Sequence, residues 1–323
     1  MKMPFILALA ATLGYGPCAI AQVYPTRPIT MIVPFPAGGP TDTIGRIVAE
    51  GMRVSLGQPV IIENVSGAGG SIGVARVARA AADGYTLSIG MLLSHVFTEA
   101  VYKVQYDLLT DFEPIGLLTS VPLMFVGKKD LPANDVKELI AWLKANPDKG
   151  TLGTVGVGSP THIWGIHFQG YTGTSMQFVP YRGAAAALQD VLAGQIDLTC
   201  LDASLLLPHV RSGKIKAYAV LAATPWAKAP EIPTIDKTGS SGLNMPFWHA
   251  LWAPRGTPID VVSKLNAAVV ATLAEPTVRR RLIDLGQDVF SKEQQTPEAL
   301  GVLQKAEIEK WWPIIKAAGI KAE

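Results

Sequence analysis

The chain has 323 residues, a formal net charge of +2 and 17% charged residues, which leaves no basic stripe for nucleic acid and no polybasic membrane patch. Its 49% hydrophobic content fits a well-packed globular core, and its two cysteines exclude a disulfide framework.

At the N-terminus, Lys2 precedes an apolar run from Phe5 to Leu13 that is too short to span a bilayer. Ala19-Ile20-Ala21 then places small residues where a signal peptidase reads, so residues 1–21 are expected to be a signal peptide and the protein to be exported. Pro17 stands before Cys18 where a lipoprotein needs a small residue. Cleavage would leave Cys200 alone, in an IDLTCL context that reads as a buried strand without a basic neighbour to activate the thiol. The remainder, about 300 residues, is enough for two ordinary domains.

Ile29 to Phe35 is a β-branched strand, followed by Pro36-Ala37-Gly38-Gly39-Pro40 and a helix from Thr41 to Leu56 with apolar residues at 44, 47, 48 and 52 on one face. Val60-Ile61-Ile62 is a second strand, leading through Gly67-Ala68-Gly69-Gly70 into a helix over 71–82, and Thr86 to Ile89 is a third strand. Strand, glycine loop, helix, strand is the grammar of a parallel sheet. It restarts mid-chain, with a helix over 135–146, a strand over 151–157 and a helix from Pro160 to about Phe168. A short strand ending at Val179, a helix over 184–193, a strand over 196–201, a helix over 203–211 and a strand over 215–221 follow. The tail carries a strand over 250–253 and helices near 258–273, 276–285 and 297–311.

Two loops share a chemistry. Gly39-Pro40 opens one helix and Ser159-Pro160 another, so proline takes the first helical position and the next amides, of Thr41 and Asp42 or of Thr161 and His162, have no intrahelical acceptor. Gly38, Gly39, Gly156 and Gly158 let a ligand approach the backbone, and each helix start offers about half a positive charge. Pro180-Tyr181-Arg182-Gly183 before the alanine-rich helix is a third such loop. Asp42 opposes this reading, because a carboxylate in the first turn competes for the same amides. Thr257-Pro258 and Thr296-Pro297 read as plain helix starts.

Other motifs carry less. The glycines at 67, 69, 70 and 73 miss a dinucleotide fingerprint by one residue, no P-loop lysine or G-x-S-x-G elbow is present, and the histidines show no HExxH. No metal or cofactor is expected. An enzyme reading would draw on Asp42, His162 and Asp202, and of the tryptophans only Trp248 suits a ligand platform.

Together these loops resemble the Bug family, the extracytoplasmic receptors of tripartite tricarboxylate transporters (the TctC type). The resemblance lies in Tyr24-Pro25-Thr26-Arg27-Pro28-Ile29 with Val33 to Asp42, in Glu63-Asn64 with the glycines at 67–70, and in Gly158-Ser159 with His162. It continues through Val179 to Gly183, Ala193 to Asp197, Ile232-Pro233-Thr234 and Ala253 to Pro258, covering essentially the whole mature chain. It implies an α/β, two-lobed type II periplasmic-binding fold that closes over a small carboxylate in the periplasm and delivers it to membrane transporter subunits. A dicarboxylate, aromatic ones included, is the expected ligand, and a monomer the expected state. The lobes implied are residues 22–124 with 248–323, and residues 125–247, the chain crossing near Met124–Gly127 and Phe247–Leu251. The resemblance assigns ligand contacts to Ala37, Gly38, Gly39, Ser159, Thr161, Tyr181, Arg182 and Gly183, and Phe35, Thr41, Ser94, Gly158, His162 and Asp202 are expected to line the same site. Met91-Leu92-Leu93-Ser94 is more apolar than the family's usual stretch there, and Arg182 stands where lysine is frequent. A sensor accessory that presents the ligand to a membrane kinase would share this fold and pocket.

The signal-peptide reading predicts an exported protein whose first residue is Gln22. An intact-mass measurement that still finds Met1 in the exported fraction would overturn it.

Overall fold

The computed structural model describes residues 24–321, so the expected signal peptide lies outside the described residues. The chain opens with β1 (Ile29–Val33), α1 (Pro40–Leu56), β2 (Val60–Asn64), α2 (Ser71–Ala78) and β3 (Thr86–Met91). β1 pairs in parallel with both β2 and β3, and its residues are almost all buried, as befits a strand covered on both faces. The apolar stripe of α1, residues 44, 47, 48 and 52, is buried against this sheet as its spacing predicts. α2 ends at Ala78, short of the expected 82. A Cβ at Gly73 would meet the Val65 carbonyl oxygen at 2.7 Å, so that glycine serves close packing rather than a phosphate.

A π-helical turn (Leu93–Phe97) and α3 (Thr98–Val101) lead into β4 (Phe112–Lys128), a 17-residue strand that sequence reading did not anticipate. Pro114 and Pro122 argue against a strand locally, and the pairing is irregular between Pro114 and Gly116 and again between Leu117 and Thr119. α4 (Val136–Ala145), β5 (Gly150–Thr154), α5 (Pro160–Thr172), β6 (Met176–Pro180), α6 (Ala184–Leu192), β7 (Leu198–Asp202), α7 (Ala203–Arg211) and β8 (Ile215–Val220) follow. The tail is β9 (Pro246–Pro254), α8 (Ile259–Ala274), α9 (Pro276–Asp284), β10 (Asp288–Val289) and α10 (Pro297–Ala317). Both β9 and α10 are longer than expected. Thr296 caps α10 through Ala299 N, whereas Thr257 donates to the Pro254 carbonyl and α8 starts without a side-chain cap.

The strand order is β2-β1-β3-β9-β4-β7-β5-β6, with β10 and β8 also paired to β4. Both edges of β4 change partner at one place. Up to Pro122 it pairs with β9 and β10, and from Leu123 with β7 and β8. Alternate side chains of β4 enter different cores. Phe112, Leu117, Leu123 and Phe125 belong to a core that runs along the whole molecule and includes Trp164, Trp252 and Trp311. Ile115 and Leu118 belong to a second core with α1 and α8, while Met124 and Val126 join a third with α6 and α7. Cys200 is fully buried in β7, and burial pushes its thiol pKa well up, as suits an inert core thiol.

α1 and α8 cross at Gly51, where a Cβ would meet Thr272 Cγ2 at 2.3 Å, its Oγ1 at 3.0 Å and its Cβ at 3.1 Å. Both branches of Thr272 are close, so no rotamer relieves the clash. Gly51→Ala should therefore lower stability by about 1–3 kcal/mol, with Thr272→Ala in the same chain restoring part of it. Gly170→Ala, on the exposed last turn of α5 with nothing within 4 Å, should raise stability by up to about 1 kcal/mol. Urea unfolding of the single and double variants checks both signs.

Candidate functional site

Four helices start beside one cavity of about 330 Å³, whose lining includes Pro40 of α1, Ser159, Pro160 and Thr161 of α5, Gly183 and Ala184 of α6, and Asp202 before α7. The volume suits a small molecule. Its walls are apolar: Met91, Leu93, Val121, Leu123, Val155, Leu201 and Phe247, with His249 and Gln287 completing the ring. A side cavity of about 410 Å³ shares Pro40, Ala184, Asp202 and Gln287 with it and adds Gly38, Thr43 and Ser204. Among the described residues no lysine or arginine lines either cavity.

The four helix starts differ in how far their first amides are already satisfied. At α5, Ser159 Oγ accepts from His162 N at 3.3 Å and donates to the Gly156 carbonyl at 2.6 Å. At α7, Asp202 Oδ1 accepts from Ser204 N at 2.8 Å and from Ser204 Oγ at 2.6 Å. α1 and α6 have no side-chain cap. α6 also has no acid in its first turn, so nothing within that turn caps its leading amides or offsets its dipole. At α1, the competition expected from Asp42 is real but directed backwards: Oδ2 accepts from Gly38 N at 2.9 Å and from Arg46 Nε at 3.0 Å, and Oδ1 from Asn64 Nδ2 at 3.0 Å. Burial alone would raise the Asp42 pKa, but the bonds from Arg46, Gly38 and Asn64 outweigh it and hold the carboxyl below its usual range.

Of the residues expected at the ligand, the structure brings Ser159, Thr161, Gly183 and Asp202 to the main cavity and Gly38 with Asp202 to the side cavity. Thr41 is buried behind them, its Oγ1 3.2 Å from His249 Nε2. The others lie elsewhere for identifiable reasons. Phe35 packs against the core shared by α1 and α8, and its carbonyl accepts from Asn64. Ala37 is exposed, and the Gly39 amide turns to the Pro36 carbonyl at 3.4 Å. Ser94 is buried, its hydroxyl accepting from Met91 N, donating to Met91 O and lying 3.0 Å from His95 Nδ1. The π-helical turn sends Leu93 to the cavity in its place. Gly158 N donates to His162 Nδ1 at 3.2 Å, which takes both out of reach, and burial lowers the His162 pKa. Tyr181 N donates to the Thr154 carbonyl and its hydroxyl to Asp190 Oδ2 at 2.6 Å; Arg182 is exposed, outside both linings. Asp42 and His162 therefore do not join Asp202 in a catalytic group.

Sequence reading missed His249 and Gln287. His249 is fully buried and burial presses its pKa down to about 4, so it is neutral at pH 7 and can share one proton with Thr41. Gln287 accepts from Thr119 Oγ1 at 3.0 Å through Oε1, an arrangement no local motif announces. Trp248 is fully buried and faces a different, 400 Å³ cavity next to Phe247. Among the described residues there is no His/Cys/Asp/Glu group able to hold a metal, and no helix is long and apolar enough to cross a membrane.

The family model for the tripartite tricarboxylate transporter family receptor (TctC) matches residues 44–320. The chain is similar to the periplasmic binding protein BugD, with 40% identity, a TM-score of 0.75, and 93% of this chain and 100% of that one covered. It is similar to MatC of Rhodopseudomonas palustris, solved with malate, at 38% identity and a TM-score of 0.76, covering 90% and 100%. An R. palustris protein solved with adipate matches at 33% identity and a TM-score of 0.77, covering 93% and 100%. Overall fold and sequence agree: the chain belongs to the TctC family of extracytoplasmic solute receptors, the group that includes the Bug proteins.

Proposed function

We propose that this protein captures a small carboxylate, foremost a dicarboxylate, at the cavity between the starts of α1 and α6, and delivers it to a membrane tripartite tricarboxylate transporter. One observation carries the reading. Helix starts from both halves of the chain converge on a cavity without a cationic side chain, and the start of α6 is neither capped nor countered by an acid. Such a site favours an anion through N–H groups and dipoles alone. The apolar wall of Met91, Leu93, Val121 and Leu123 suits the spacer of a dicarboxylate, aliphatic or aromatic. The malate- and adipate-bound relatives support the same ligand class.

In this reading the lobes meet where β4 changes partners, at Pro122–Leu123, and where the chain returns at Met245–Pro246, slightly N-terminal of the crossings read from sequence. The closed state offers donors from both lobes and the open state from one, so ligand favours closure by its differential affinity. The cavity serves binding rather than turnover, because Asp42 and His162 are committed elsewhere.

A thermal-shift screen should show stabilisation by some mono- or dicarboxylates, about 2.7 kcal/mol at a hundred times Kd, none by sugars, and no ligand consumed. Stabilisation by sugars alone, or chemical conversion of the carboxylate, would count against the receptor reading. The α6 assignment has its own test, because a carboxylate placed there acts oppositely on stability and on binding. Ala184→Asp should leave the ligand-free protein as stable or up to about 1 kcal/mol more so, while raising Kd at least about tenfold. Unaltered affinity by calorimetry would show that the anion sits elsewhere.

A further inference from the structure

We infer that Asp202 is the specificity-determining residue of this site, accepting a hydrogen bond from a donor on the ligand. On this inference the preferred ligands are carboxylates that carry a hydroxyl or ammonium group. The inference rests on the carboxylate-receptor reading and narrows it.

Asp202 lines both the main and the side cavity, at their junction with Pro40, Ala184 and Gln287. It is the only carboxylate in the main cavity's lining and has no lysine or arginine beside it there. Among the described residues it forms no ion pair. Oδ1 is committed to the start of α7, where it holds Ser204 N and Ser204 Oγ. Oδ2 has no side-chain hydrogen-bond partner and is not among the buried polar atoms left without one, so it remains reachable from the cavity. Three neighbouring polar side chains are engaged with the protein: Ser159 with Gly156, Thr161 with Val155 N, and His249 with Thr41.

A partly buried carboxylate without an ion-pair partner is costly, and burial pushes the Asp202 pKa up against the bonds from Ser204 and the Leu205 amide and the more distant pull of Lys228. A carboxylate ligand held at α6 brings a second negative charge into the same cavity. Two anions in a space without cations repel, whereas a ligand hydroxyl satisfies Oδ2 and an ammonium also neutralises it. A site built around a buried acceptor rejects an analogue that lacks the donor, because the acceptor is then left unpaired.

The test uses sets of identical carbon skeleton: succinate, malate and aspartate, then glutarate, 2-hydroxyglutarate and glutamate, then adipate with its 2-hydroxy and 2-amino derivatives, the chiral members as both enantiomers. Calorimetry on the wild-type protein should rank the amino or hydroxy member of at least one set about tenfold or more above the unsubstituted member. Asp202→Asn keeps an acceptor for Ser204 N and should cut that preference to below about threefold, with an unaltered melting temperature without ligand. Asp202→Ser serves the same purpose should the asparagine variant fail to fold. Equal wild-type affinity for substituted and unsubstituted members overturns the Asp202 assignment while leaving the carboxylate receptor intact. So does a preference that survives in both variants. Failure of every set and of the wider carboxylate screen overturns both readings.

Discussion

The pairing of β4 with β9 is the constraint on which the molecule depends. At about 3.3 Å per residue, a 17-residue strand reaches roughly 55 Å, long enough to serve two sheets in succession. β9 runs antiparallel to its first part from Pro254↔Phe112 to Pro246↔Pro122. β7 and β8 occupy its second part. Because alternate side chains of a strand face opposite ways, β4 feeds one continuous core on one face and two separate cores on the other. The cores around α1 and around α6 and α7 are thus separate and joined through β4. α10 adds a second tie on the continuous side, through the Trp311 ring 5.4 Å from that of His167 and through Lys310 Nζ donating to Asn244.

The site's electrostatics follow from where the helices start. A parallel sheet puts the N-terminus of each following helix at the carboxyl edge of its strand, so β1–α1, β5–α5, β6–α6 and β7–α7 all aim their first turns the same way relative to their strands. The partial charges this gathers need no cationic side chain, and an arginine in so apolar a cavity would itself be costly to bury. The helix starts are then differentiated by capping. Ser159 and Asp202 satisfy α5 and α7 from within, and Asp42 is drawn off by Gly38, Arg46 and Asn64. α6 keeps an alanine first turn that offers nothing but backbone.

The glycine loops illustrate how the same residue type serves different ends. Gly73 and Gly51 exist because a neighbour would overlap a side chain, at Val65 and at Thr272. Gly38 has φ +82° with nothing within 4 Å of where a Cβ would stand, so it is there for a turn only glycine adopts readily. Sequence alone cannot separate these cases, since both read as glycine beside a helix.

Much was legible locally. The apolar spacing at 44, 47, 48 and 52, the proline starts at 40, 160 and 297, and the β-branched run of β1 each state their structure within a few residues, because helix and strand periodicity are local properties. The loop motifs taken together likewise sufficed to recognise the family. β4 was not legible, because its two prolines break the local pattern and only partners far along the chain, such as Leu198 opposite Gly127 and Pro254 opposite Phe112, make it a strand. The same holds for the site. Loop composition marked Ser159, Thr161, Gly183 and Asp202, but whether an amide at Gly38, Gly158 or Tyr181 stays free depends on Asp42, His162 and Thr154 claiming it first. His249 and Gln287 reach the cavity from the far tail by β9 and β10 packing on β4. Element identity and family were determined by the chain itself; which donors remain for a ligand was decided by tertiary contacts, because a hydrogen bond is a competition among all groups brought within 3.5 Å.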